Sequence, residues 1–208
     1  MTPLIEFFFK GIVIGFSIAA PIGPISILCI RRTLAHGVYI GVLSGLGAAT
    51  ADAVYGLVAG FGLTSISSLL IKYNFMLSMV GAAFLAYLGA TTFLAEPAHN
   101  PAARDGQGAL HAFVSTFFLT ITNPMTVLLF AAILTSAGVV STSGDYHSAI
   151  ALVSGIFFGG AVWFIFLACA VGLFRSKVDL PMLRIINKVS GLLIIGFAAY
   201  IFLAAAWK

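Results

Sequence analysis

The chain has 208 residues, of which 61% are hydrophobic and only 8% charged, with a mean hydropathy of +1.14. A soluble domain would carry about 25% charged residues to cover its outside, so this composition excludes a water-exposed globule and makes lipid the solvent for most of the surface. The net charge of +4 lies in loops with no basic cluster interleaved with aromatics, which reads as membrane topology and argues against nucleic acid as a partner.

A membrane-spanning helix needs roughly 20 mainly apolar residues. Six stretches meet that requirement, at about 7–29, 38–62, 75–95, 109–137, 148–174 and 189–207. The first contains Pro21-Ile22-Gly23-Pro24 near its middle. Proline cannot donate to the helix ladder and clashes with the preceding turn, so the motif frees backbone groups inside the span. Lys10 and the apolar run to Ala19-Ala20 have some look of a secretory signal. Proline at 21, the resumed apolar run through Cys29 and the closing Arg31-Arg32 favour a retained span instead.

The second stretch carries Asp52, the one acid placed deep within a span. Gly41, Gly45, Ala48, Ala49, Gly56 and Gly60 recur around it at intervals of three or four, the small-residue stripe on which membrane helices approach. Asp52 is therefore expected to face protein, where a carboxyl can carry a proton or pair with a cationic substrate. The plainer reading is a protonated Asp that only bonds a neighbouring helix. Residues 63–74 are ambiguous, since Ile66, Leu69 and Leu70 suit an interface.

The fourth stretch repeats the break with Asn123-Pro124, flanked by the hydroxyls of Thr120 and Thr122. A single proline can merely kink a span. Interrupted spans at matching places in two halves are the sequence pointer to a transporter's binding site. Pro21, Gly23, Pro24, Asp52, Thr122, Asn123 and Pro124 are thus the expected substrate-binding residues, with Asp52 also the proton-coupling one. Exposed amides and carbonyls there suit the carboxylate and ammonium of a small zwitterion. Thr50, Tyr55 and Trp163 are weaker candidates.

The loops after spans one, three and five hold Arg31, Arg32, Arg104, Arg175, Lys177, Arg184 and Lys188, against Lys10, Lys72 and Lys208 opposite. Cytoplasmic loops collect Lys and Arg, so both termini are expected outside, with Tyr200 and Trp207 anchoring the last helix there. Gly23-Pro24 falls on Asn123-Pro124 at an offset of 100, and Ser44-Gly45, Gly62-Leu63 and Gly81 fall on Ser154-Gly155, Gly172-Leu173 and Gly191 at 110. Three spans per half is an odd number, so the halves must be inverted. The expected architecture is all-α: one transmembrane domain over 1–208 with six helices. Repeat one covers about 1–95, a loop 96–108 and repeat two 109–208, and the first and fourth helices are broken.

Cys29 and Cys169 read as buried small hydrophobes, in no CxxC or His-rich cluster. His36, His99, His111 and His147 share no ligand spacing, so neither a metal site nor a cofactor is expected. No Walker, GxSxG or HExxH motif points to an enzyme.

With Gly11, Gly15 and Pro21 to Pro24, then Ala51-Asp52, Tyr55, Gly81, Tyr87, Gly89 and Asn123-Pro124, nearly the whole chain resembles the lysine exporter (LysE) family of amino-acid translocators. That family's common first-span pattern is Pro-Gly-Pro, whereas here Ile22 precedes Gly23 and Pro21 stands one place earlier. The resemblance implies export of amino acids or related solutes from the bacterial cytoplasm across the inner membrane. It also implies drive by the proton gradient and a homodimer as a possible assembly. Two rivals stay open: a cation or metal exporter of related architecture, and a transmembrane thiol-disulfide carrier, which would need a redox cysteine pair near the breaks.

Overall fold

The computed structural model describes residues 3–60, 72–95, 105–123, 126, 130 and 146–206. Among them every regular element is helical: α1 Pro3–Ala19, α2 Pro24–His36, α3 Val38–Gly60, α4 Asn74–Phe93, α5 Asp105–Ile121, α6 Tyr146–Gly172, a 3-10 turn at Arg175–Lys177, and α7 Leu180–Ala206. Four helices are long and apolar enough to cross a membrane, or five spans if the bent pair α1 and α2 counts as one. The protein is a multi-pass membrane protein. Pro124, Arg104, Trp207, Lys208, the interfacial stretch 63–71, most of the fourth span beyond Asn123 and the loop up to 145 lie outside the described residues.

Two expected boundaries are corrected. The first span does not run straight to Cys29 and close at Arg31-Arg32. It bends by 80° between α1 and α2, and α2 carries both arginines to His36. Pro24 sits at the first position of α2, where its fixed φ suits a helix start and its missing N–H costs nothing. The arginines are tolerated because protein shelters them: Arg31 Nε donates to Asn187 Oδ1 at 3.0 Å, and Asn187 Nδ2 donates to the Ala95 carbonyl at 3.0 Å. The last helix starts at Leu180 rather than near 189, so Arg184 and Lys188 ride on α7 instead of in a loop. Asp179 Oδ1 accepts the Met182 N–H at 2.8 Å, capping that start ahead of Pro181.

Gly37 joins α2 to α3 with φ +100°, a left-handed conformation that glycine adopts without a Cβ clash, and its N–H returns to the Thr33 carbonyl at 2.9 Å. Helix α1 lies along α6, α3 packs between α5 and α6, α4 packs on α7, and α2 touches α3, α6 and α7. The stripe on α3 does face protein, since a Cβ on Gly45 would strike Phe164 and one on Gly56 would meet Ile156. Cys29 is buried as expected, whereas Cys169 is exposed on the outward face of α6.

The α1–α6 crossing is the tightest. A Cβ on Gly11 or Gly15 would overlap the carbonyls of Leu152 and Ile156, and one on Gly155 or Gly159 those of Phe8 and Ile12. With no hydrophobic drive between helices in lipid, such backbone contact is what holds them. Gly155→Ala should therefore lower stability by about 1–3 kcal/mol. Gly196→Ala, which meets nothing within 4 Å, should be neutral or slightly stabilising. Thermal unfolding of the detergent-solubilised variants checks the contrast, and equal effects would contradict the packing account.

Candidate functional site

The break between α1 and α2 opens onto a cavity of about 230 Å³. Pro21, Ile22, Gly23, Pro24, Ile25 and Ser26 form one side of it. Ala48 and Asp52 of α3, Thr120 and Asn123 at the end of α5, and Thr126 form another, and Phe164 of α6 with Phe197, Tyr200 and Ile201 of α7 complete the wall. Of the lining residues, Ile22 and Tyr200 are 69% and 62% exposed, so the wall they form reaches the surface of the protein.

Gly23 caps α2 in an extended conformation with no side-chain hydrogen bond, and its carbonyl accepts the Ile27 N–H at 3.0 Å. The N–H groups of the first turn have no partner within a helix, and the macrodipole adds partial positive charge there. Opposite stands a helix C-terminus. Helix α5 ends at Ile121, whose carbonyl accepts the Tyr55 hydroxyl. The chain then turns, with Asn123 N–H on the Thr120 carbonyl at 3.2 Å and Thr126 N–H on the Asn123 carbonyl at 3.1 Å. A helix start and a helix end thus meet across one cavity, with the Asp52 carboxyl on its wall.

Asp52 is 3% exposed and faces α6, where a Cβ on Gly160 would stand 3.8 Å from Oδ2. The closer neighbour of that Cβ is Ala49 of α3, at 3.3 Å, so Gly160 sets the approach of α6 to α3 beside the carboxyl. Of the expected site residues, Pro21, Gly23, Pro24, Asp52 and Asn123 come together around the cavity. Thr122 does not line it. Its hydroxyl donates back to the Phe118 carbonyl at 2.8 Å, and its backbone meets Gly81 of α4. Thr120 and Thr126 line it instead, and the Thr120 hydroxyl, which itself donates to the Thr116 carbonyl at 2.9 Å, offers the cavity only acceptor lone pairs.

Among the weaker candidates, Thr50 bonds its own helix at the Leu46 carbonyl. Trp163 stacks edge-on against Phe16 at 5.3 Å, with its buried Nε1 unpartnered among the described residues. Tyr55 stacks on Phe130 at 5.3 Å and ties α3 to the end of α5.

Sequence reasoning missed Ser26, Phe164 and the α7 wall. The apolar residues of α7 carry no polar punctuation to mark which of them face a cavity rather than lipid, and Tyr200 read only as an interface anchor. Neither cysteine lines the cavity, and no group of three or more His, Cys, Asp or Glu suited to a metal occurs among the described residues.

The LysE type translocator family model matches residues 16–205. The chain is 29% identical over 93% of both chains to YcgF of Bacillus subtilis, for which amino acid efflux is proposed. It is 26% identical to ChpE of Pseudomonas aeruginosa, named as a chemotactic transduction protein, over 94% of this chain and 97% of that one. It is also 24% identical to the uncharacterized membrane protein YrhP of Bacillus subtilis, over 84% and 88% of the two chains. No solved structure matches.

Tyr55→Phe keeps the ring on Phe130 and removes only the bond to Ile121. It should lower stability by about 1 kcal/mol, and Tyr55→Ala by about 3–5 kcal/mol. Denaturation of the purified variants tests the ratio, and equal losses would show that the hydroxyl bond, not the ring, holds α3 to α5.

Proposed function

Because the chain belongs to the LysE family of translocators, we propose that it exports a small zwitterion of the amino-acid class, exchanging it for protons across the bacterial inner membrane. The protein is a transporter and not an enzyme. The observation that carries the substrate class is the pairing of opposite helix ends across one cavity with a carboxyl beside them. A carboxylate suits the first-turn N–H groups of α2, as in other transporters whose half-helix N-termini point at an anionic substrate group. An ammonium suits Asp52 and the carbonyl end of α5. The apolar walls of Ile18, Ile25, Phe164, Phe197 and Ile201 suit an aliphatic or aromatic side chain.

In this reading an ionised Asp52 holds the ammonium. A proton arriving from outside takes its place on the carboxyl, and the ammonium is freed with the solute. Loss of that proton on the inner side resets the site. The packing agrees with an inverted repeat of six helices: a two-fold that exchanges the halves turns the α1–α6 contact into the α5–α3 contact and maps α3–α6 and α4–α7 onto themselves. Arg31, Arg32, Arg175, Lys177, Arg184 and Lys188 mark the end that this reading puts inside, which leaves both termini outside.

The test is uptake of labelled neutral, aromatic and basic amino acids into inside-out vesicles under an imposed pH gradient. Accumulation of apolar amino acids is expected. Asp52→Asn should lower it by about 30-fold or more, as loss of one partner of a buried charge pair does, while folded protein stays in the membrane. Full activity of that variant would remove Asp52 from the coupling step, and no uptake of any amino acid would overturn the proposal.

A further inference from the structure

Arg32 is a buried charge that the cycle above leaves unused. It is 5% exposed, and among the described residues no carboxylate pairs with it. Its Nη1 donates to Ser44 Oγ at 3.0 Å, Thr116 Oγ1 at 2.8 Å and the Ala112 carbonyl at 2.9 Å, and Nη2 donates to Ser115 Oγ at 2.7 Å. Every partner is neutral. A buried cation with only neutral partners is expensive to retain, and an ionisable residue within a membrane protein's helical bundle is a candidate for function.

Its place in the fold is specific. Ser44 is one turn before Ala48 on α3, and Thr116 is one turn before Thr120 on α5, and both Ala48 and Thr120 line the cavity. Asp52 lies eight residues beyond Ser44, about 12 Å along the axis. The guanidinium therefore bridges α3 and α5 one turn before their cavity-lining residues, between the cavity and the basic end. Beyond it lies the basic end of the bundle, where Arg31 binds Asn187 and the Arg175 guanidinium approaches Gly37.

We propose that Arg32 is the seal between the cavity and the basic end. A carboxylate on a solute arriving from that end opens it by taking the place of the hydroxyl and carbonyl partners. The proposal rests on reading the cavity as a solute site. Both ends of the exchange are hydrogen bonds of the same guanidinium. A carboxylate accepts two of them in the bidentate, charge-assisted geometry that hydroxyls lack, so an anion competes where a neutral or cationic solute does not. The hydroxyls of Ser44, Ser115 and Thr116 keep the closed position satisfied when no anion is present.

The test uses the full chain in membrane vesicles of each orientation, with Cys29→Ala, Cys169→Ala and Ser26→Cys placing one thiol in the cavity wall. Labelling rates are measured with an anionic sulfonatoethyl methanethiosulfonate and its cationic trimethylammonium counterpart. From the basic face, Arg32→Gln should speed labelling by at least about tenfold, since bonds to a buried charge are lost, while the opposite face changes by less than about twofold. With Arg32 present the anionic reagent should label faster than the cationic one. Arg32→Gln should erase that preference, and Arg32→Lys should keep it. Unchanged rates from the basic face, equal acceleration from both faces, or no charge preference would each overturn the seal. Labelling does not require transport, so accelerated labelling in a protein that moves no amino acid would sink the export reading and leave the seal standing.

Discussion

Backbone polar groups cannot be left unpaired in lipid, and this protein interrupts a span where Pro21 to Pro24 forbid a continuous ladder. The interruption survives only because other helices surround it. Helix α2, thrown 80° from α1, is held by α3, α6 and α7, and its uncapped first turn looks into a cavity rather than into hydrocarbon. The consequences follow from that one constraint. The broken backbone needs a space shared with protein, that space brings a helix start against a helix end, and the pair of opposite partial charges is the feature on which the proposed zwitterion site rests.

The frame around the break is built by the opposite device. Gly11, Gly15, Gly155 and Gly159 let α1 and α6 meet backbone to backbone, and Gly41, Gly45 and Gly56 seat α3 on its neighbours. Close glycine packing lets these backbones meet in van der Waals contact. The polar bonds cluster elsewhere, at Tyr55 with Ile121, at Arg32 with three hydroxyls, and at Arg31 with Asn187. Bonds of that kind can exchange partners without moving the helices that carry them, so they are where a conformational cycle has room to act.

Much of this was legible in the chain because proline, glycine and a lone intramembrane acid have strong local physics. The break at Pro21 to Pro24, the protein-facing stripe around Asp52, and the helices over the second, third, fifth and sixth stretches follow from residue type and spacing alone. What stayed hidden depends on tertiary shelter. Arg31-Arg32 reads as a loop because charges normally end a span, and only Asn187 on Arg31 and Ser44, Ser115 and Thr116 on the buried Arg32, all from other helices, let both arginines sit on a helix. Thr122 and Thr120 are indistinguishable in sequence, yet Thr122 lies just past the end of α5 with its backbone against Gly81, and only Thr120 lines the cavity. The cavity's α7 wall is apolar on every face, so periodicity could not choose Phe197 and Tyr200 from their neighbours.

The central claim is that solute binds where the two helix ends meet. Photolabelling with a diazirine analogue of leucine, followed by peptide mapping of the membrane-embedded protein, addresses it directly. The account predicts label on the peptides holding Pro21 to Ser26 and Thr120 to Asn123, displaced by excess unlabelled leucine. Label confined to other surfaces of the bundle, or label that excess leucine does not displace, would contradict it.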